Sequence, residues 1–344
     1  MSNNKGLGLR QTKGYFQVRG KVTGVEKENF YTEGKSRNGK DYRRINFGVE
    51  YQPDCSVYVQ QFGMPQDYVY YSKQEITGNK KTKVTEKVNW SDRFKSPGEN
   101  YRLVGINCGV EKIVDKKGSL VNSRKNLTQF DACKEIAEHL KDNDSVFVKG
   151  NITYSTYEGS HKTSFDFTQV SLCKDDIDFD NENFKSENKF KQEIVFMGID
   201  KSKEIDGEFI ISGKVVNYDS IEDIELYTRD NKLASILKKN CKPYNLIELG
   251  GNIFAEFDSE KVESDDEWGV GIEMNKVKAP YSIKLMVNGA DKSSLDTTAY
   301  SEEIIEEALV KQKTNDTAKA EFSTKTSKSN SDDDWDDVDG EEWD

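Results

Sequence analysis

A chain of 344 residues can hold two globular domains. Its 34% apolar content still permits packed cores, and its 50 basic against 62 acidic side chains, a net charge of −12, exclude a uniformly basic nucleic-acid binder. The charge is divided, however: residues 1–127 carry 24 basic and 13 acidic side chains (net +11), while residues 128–344 carry 26 and 49 (net −23). The front half can neutralise phosphates and release counterions, and the back half repels the same ligand.

In chain order, the first strand pattern is Tyr15–Val25, with Phe16, Val18 and Val22 alternating against Tyr15, Gln17, Arg19 and Lys21. Tyr42–Tyr51 follows, with Ile45, Phe47 and Val49 inward, and then Ser56–Phe62, with Val57 and Val59 on one face and Tyr58 and Phe62 on the other. A long segment, about 64–126, contains a further strand at Tyr101–Val110. Gln129–Leu140 has helical spacing, with Thr128 as N-cap and Phe130, Cys133, Ile136, Ala137 and Leu140 on one face. Strands resume at Ser145–Tyr154 and Thr163–Cys173.

Three strands, a helix and two strands is the order of an OB-fold, a five-stranded Greek-key barrel. The fold expected is therefore mainly β. Residues 1–174 form an OB-fold-like barrel with a large insertion at about 64–126, and the polar, acid-rich stretch 175–191 is a linker. Residues 192–313 form a second, smaller OB-like domain, with strands in Glu208–Tyr218, Ile221–Thr228, Leu246–Phe257 and Tyr281–Asn288 and a helix at Lys232–Lys239. Two strings support a repeat: Gly20-Lys21-Val22 matches Gly213-Lys214-Val215, and Lys149-Gly150-Asn151-Ile152 resembles Gly250-Gly251-Asn252-Ile253. Residues 314–344 are too polar and charged to offset ordering entropy and are read as a disordered acidic tail.

No Walker A, GxGxxG, HExxH or GxSxG motif occurs, so no enzyme activity and no cofactor are expected. The five cysteines, Cys55, Cys108, Cys133, Cys173 and Cys241, form no CxxC pair, and with only His139 and His161 beside them no metal site is expected. Asp175, Asp176, Asp178 and Asp180 lack the spacing and glycine of a calcium loop. No run reaches the roughly 20 apolar residues of a membrane helix, and MSNNKGLGLR lacks the apolar core of a secretory signal. The expectation is a soluble protein of the cytoplasm, the host's if the chain is phage-encoded.

Basic and aromatic residues interleave in the first domain. The loop between the first two strands holds Phe30, Tyr31, Lys35, Arg37 and Lys40, and the loop between the last two holds Tyr157 and Lys162. The outward strand faces add Tyr15, Arg19, Lys21, Tyr42, Arg44, Tyr58 and Phe62, and the insertion adds Lys80, Lys81, Lys83, Trp90 and Arg93. Aromatics stack bases and cations track the phosphates of single-stranded nucleic acid in this kind of arrangement.

The C-terminus, residues 332–344, reads DDDWDDVDGEEWD, nine acids without a base and two tryptophans. It resembles the tails of phage and bacterial single-stranded DNA-binding proteins, which end in an acidic run and an aromatic. The resemblance implies that Asp332, Asp333, Asp334, Trp335, Asp336, Asp337, Trp343 and Asp344 dock replication or recombination proteins: a polymerase, a helicase or primase, or a recombinase. It further implies sequence-nonspecific binding of single-stranded DNA in replication, recombination or repair. The ending differs in having Trp rather than Phe and in its second Trp. An RNA-binding OB protein and a non-catalytic acidic interaction or inhibitor module are the two other functions compatible with the sequence.

Overall fold

The computed structural model describes residues 6–77, 80–157, 160–257 and 281–328. The first barrel starts with β1 (Gly14–Thr23), β2 (Tyr31–Lys35), β3 (Asp41–Gln52) and β4 (Cys55–Gly63). The insertion supplies β5 (Tyr68–Thr77), β6 (Lys80–Asn89), a short 3-10 turn Trp90–Asp92, β7 (Arg102–Leu103), β8 (Ile106–Val114) and β9 (Leu120–Leu127). Helix α1 (Gln129–His139), β10 (Ser145–Tyr157) and β11 (Ser160–Leu172) complete it. The second barrel contains β12 (Glu187–Lys201), β13 (Phe209–Val216), β14 (Ile221–Thr228), α2 (Asn231–Asn240), β15 (Leu246–Phe257) and β16 (Tyr281–Asp296), and α3 (Glu302–Lys328) follows.

The chain is mainly β, and each half has OB order. In the first, β1 pairs with β3, β3 with β4, β4 with β11 in parallel, β11 with β10, and β10 with β1, so the ring closes. In the second, β12, β13, β14, β16 and β15 pair in the same cycle. The parallel closures are short, Phe165↔Val59 and Asp166↔Gln60 in one half and Tyr227↔Met286 in the other, so neither ring is a regular barrel. Each helix sits between the third and fourth OB strands and is capped at its start: Thr128 accepts from the Asp131 amide, and Asp230 from the amides of Lys232 and Leu233.

The halves join through an antiparallel pairing of β1 with β12. Phe16 pairs with Gly150 in its own barrel, Phe190 with Gly251 in its own, and Phe16 with Phe190 across the junction. The register therefore places a pseudo-twofold axis between the two phenylalanines. The contacts repeat about that axis: Thr156 at the end of the β10–β11 hairpin donates to Glu222 of the second barrel at 2.5 Å, and the Ala255 amide of the β15–β16 hairpin donates to the Tyr51 hydroxyl of the first at 3.1 Å. One continuous apolar core includes Phe47 and Phe167 from the first barrel and Ile194 and Leu249 from the second.

The strand readings of the first domain agree with these elements except at Tyr101–Val110, which divides into β7 of the small sheet and β8 of the large one. The repeat reading is half corrected. Gly150 and Gly251 are equivalent, both at register shifts in the fourth OB strand, and a Cβ on either would run into a backbone carbonyl oxygen, of Asp166 or Met286. Gly20 lies on the first OB strand and Gly213 on the second, so the Gly-Lys-Val match carries no equivalence. The first strand of the second barrel is β12, whose opening residues, 187–191, fall in the segment read as linker.

Helix α3 also departs from expectation. It continues past Thr314 to Lys328, where disorder was expected. Its first turns are fixed by Ile305 and Ala308, packed with Leu7, Val216, Ile221 and Tyr300, and Gln312 accepts from the Ile221 amide at 2.8 Å. With the nucleus in place, each further helical residue adds little cost. Residues 332–344 lie outside the described residues. No helix among the described residues is long and apolar enough to cross a membrane.

Candidate nucleic-acid interface

Alternation in β3 and β4 turns Ile45, Phe47, Val49, Val57 and Val59 into the first core and leaves Tyr42, Arg44 and Asn46 outward beside Tyr58, Gln60 and Phe62. Register aligns Arg44 with Phe62, Asn46 with Gln60 and Gly48 with Tyr58. The Tyr42 and Phe62 rings stack at 5.9 Å between centroids and 26° between planes. Tyr42 also lies over Gly34 of β2, where a Cβ would come within 3.2 Å of its hydroxyl. Phe62 is 51% exposed. At the other end of the strip Tyr58 lies against Gly48, with the Lys27 ammonium 5.9 Å from its ring centre.

This outward strip, Tyr42 to Gly48 on β3 and Tyr58 to Phe62 on β4, contains no acid. The adjoining Asp166 of β11 accepts from Gln60 at 3.0 Å and Thr153 at 2.7 Å. The β2–β3 hairpin extends the strip with Lys35, Arg37 and Lys40, all exposed. Gly39, at φ 73°, turns the chain there, a conformation that favours glycine. Lys35 lies 3.5 Å from Asp41 across the hairpin.

Several candidates are placed elsewhere. Phe30 is a correction: it is buried against Phe47 in the core and offers no face to a base. Tyr31 packs partly against the same core and donates to Glu33 at 2.7 Å; burial, then this hydrogen bond, raises its phenol above the usual range. Trp90 and Arg93 are corrections too, because they fasten the insertion to α1. Trp90 meets Phe130 edge-on at 6.1 Å, and Arg93 forms a two-bond pair with Asp131 at 2.8 and 3.2 Å, its plane over Trp90 and Phe94.

Tyr15, Arg19 and Lys21 point outward from β1, as expected, but on a different patch. Lys21 sits 5.1 Å from the Phe179 ring, in the segment joining the barrels. Tyr15 lines an open groove of about 930 Å³ that straddles the pseudo-twofold axis, with Gln17, Lys149, Lys189, Lys191 and Asn252, and Lys191 there pairs with Glu248 at 2.9 Å. Lys162 faces the second barrel instead, in a cavity of about 600 Å³ shared with Glu222, Asp223 and Glu225. The side chains of Lys80 and Tyr157 lie outside the described residues.

Lys81 and Lys83 do stand exposed on β6. Sequence reading missed that Tyr68 and Tyr70 of β5 share their face. Only the register, Tyr70 opposite Lys87 and Gln74 opposite Lys83, reveals it. Among the described residues one group has metal-ligand proximity, Glu111, Glu135 and His139. Lys125 bridges its two carboxylates at 2.8 and 2.7 Å, so an ammonium already occupies both of them.

Among solved structures, the chain is similar to the wild-type single-stranded DNA-binding protein from Thermus aquaticus, at 7% identity and a TM-score of 0.39, over 85% of this chain and 97% of that one. A deletion mutant of the same Thermus protein gives the same identity and TM-score over 85% of this chain and 98% of that one. None of the curated proteins compared with the chain matches it. The sequence model of the YorF family matches residues 13–325, nearly the whole of the two-barrel body and α3, and the chain belongs to the YorF family.

Proposed function

We propose that this protein binds single-stranded DNA with little base preference, along the outward face of β3 and β4. The observation that carries the reading is the acid-free strip in which Tyr42 stacks on Phe62, Arg44 stands opposite Phe62, and Tyr58 lies four residues along. Stacking accepts every base, and the cations of the strip and of the β2–β3 hairpin follow the phosphates. A duplex hides its base faces and does not fit such a strip.

In this reading the protein is not an enzyme. It covers transiently unpaired strands in replication, recombination or repair. Its acidic end, with Trp335 and Trp343, docks the polymerase, helicase, primase or recombinase that works on the same strand. Support for the tail comes from its sequence: nine acids would repel DNA, while two tryptophans suit an apolar pocket on a protein.

Fluorescence anisotropy with a labelled thymidine oligonucleotide, matched RNA and matched duplex, across a salt series, tests the reading. Binding to the DNA single strand that weakens steeply with salt is expected, with duplex bound far less. Equal affinity for matched RNA would move the assignment to an RNA-binding OB protein. No binding to any of the three at low salt would leave an acidic interaction module.

A further inference from the structure

The insertion carries a second strip. In the β5–β6 ribbon, β-sheet alternation puts Tyr68, Tyr70, Ser72, Gln74 and Ile76 on the same face as Lys81, Lys83, Thr85, Lys87 and Asn89. That face contains three lysines and no acid, and Tyr70 is 51% exposed. Lys87 holds its ammonium 3.5 Å from the Tyr68 ring centre, a cation beside an open aromatic.

The opposite face is different in kind. Val69 and Tyr71 are buried there with Leu103, packed by Val88, Trp90 and Tyr101. Acids stand among its charged groups: Lys73 pairs with Glu75 at 2.7 Å, and Glu86 accepts from the Tyr101 hydroxyl at 2.7 Å. One face thus holds the ribbon down and carries acids beside its cations, and the other presents positive charge without an acid.

The base of the ribbon is held by β7 and by the Arg93–Asp131 pair, so the face has a fixed orientation. It also starts close to the first strip along the chain. Only residues 64–67 lie between the end of β4 and the start of β5. Six residues of chain from Phe62 to Tyr68 span at most about 21 Å. Same-face side chains repeat at about 7 Å along a strand, within reach of successive phosphates of an extended strand.

We propose that the β5–β6 ribbon is an arm that binds the same nucleic-acid strand beyond the β3–β4 face, with Lys81, Lys83 and Lys87 on phosphates and Tyr68 and Tyr70 on bases. The inference rests on the single-strand reading above and adds an extension of the site. An extended single strand fits this face by charge, by stacking surface and by its length along the ribbon.

The test is the full-length triple variant Lys81→Ala, Lys83→Ala, Lys87→Ala beside Tyr70→Ala, Phe62→Ala and the native chain, on short and long labelled thymidine oligonucleotides across salt. The triple variant is expected to lower the slope of log affinity against log salt by about 2, at 0.7 per phosphate, and to shorten the strand length occluded per molecule. Tyr70→Ala is expected to weaken binding to the long oligonucleotide by about fivefold or more and to leave the short one unchanged. All the replaced side chains are exposed, so melting temperatures stay at the native value. A native chain that binds and is weakened by Phe62→Ala, with slope and occluded length untouched by the triple variant, overturns the arm and leaves the single-strand reading standing. Failure of the native chain to bind any single strand overturns both. A triple variant that keeps its DNA slope but loses binding of a peptide of residues 332–344 also overturns the proposal, because the arm would then hold the acidic tail.

Discussion

Phe16 and Phe190 pair with each other across the barrel junction, and each pairs within its own barrel with a glycine, Gly150 or Gly251. Both rings are buried in the shared core. A single chain thereby reproduces the contact of a symmetric dimer, with β1 and β12 as the paired strands and the two hairpins crossing over reciprocally.

The glycine positions should respond alike. Gly150→Ala and Gly251→Ala each drive a Cβ into a backbone carbonyl that cannot step aside as a side chain would. A loss of about 1–3 kcal/mol is expected for each, the range for overpacking, read from urea unfolding. Gly289→Ala, where a Cβ meets open space, serves as the comparison and should change little. Native-like stability of either of the first two variants would contradict the close approach of β10 to β11 or of β15 to β16 at these glycines.

The stacked pair on β3 and β4 separates binding from folding. Phe62→Ala removes a ring that is half exposed and stacked on Tyr42. It should weaken single-stranded DNA by about 1–3 kcal/mol, measured by anisotropy, with a melting temperature near the native one. Phe30→Ala should do the reverse, because Phe30 is a core side chain: about 3–5 kcal/mol of stability lost, and unchanged affinity in the fraction that stays folded.

Arg93 tests the insertion's attachment. Its pair with Asp131 is largely sheltered from water, at 20% and 11% side-chain exposure. Arg93→Ala leaves the Asp131 carboxylate with its Thr128 contact and no cation. A loss of about 1–3 kcal/mol is expected, together with faster protease cleavage within residues 64–105. Unchanged cleavage would mean that β7 and the Trp90–Phe130 contact hold the insertion by themselves.

The buried thiols give a pH dependence. Burial pushes Cys108 and Cys133 up from the ordinary 9.0 to about 12. A raised folded-state pKa means that the unfolded chain loses these protons first as pH rises. Their contribution to stability is therefore complete below about pH 9 and declines from there toward 12. Unfolding midpoints should fall through that window. At pH 8.5 iodoacetamide should label half-buried Cys55 well before either buried thiol, until denaturant is added. Equal labelling in the native protein would contradict the burial.

Much of the first barrel was legible because its strands are buried on one face only, so Phe16, Val18 and Val22 alternate cleanly with polar residues. β12 was harder. It pairs with β1 and β15 on its two flanks, and its opening Glu187-Asn188-Lys189-Phe190-Lys191 looks like more of the polar linker. The Gly-Lys-Val match misled because a three-residue string does not record which strand of a barrel it occupies. Phe30 looked like a loop aromatic because its burial depends on how the β2–β3 hairpin folds back onto the core. Trp90 and Arg93 have the composition of a nucleic-acid site, but their partners, Phe130 and Asp131, lie 40 and 38 residues downstream. The face formed by Tyr68, Tyr70 and the three lysines needs the hairpin register, which no local pattern supplies.

Ultraviolet crosslinking of the full-length protein to a thymidine oligonucleotide, with the attached peptides identified by mass spectrometry, tests the central claim most directly. Crosslinks concentrated at Tyr42, Tyr58 and Phe62, lost in competition with unlabelled single strand and at high salt, are the predicted result. Crosslinks confined to the second barrel, or none under conditions where the strand is bound, would contradict it.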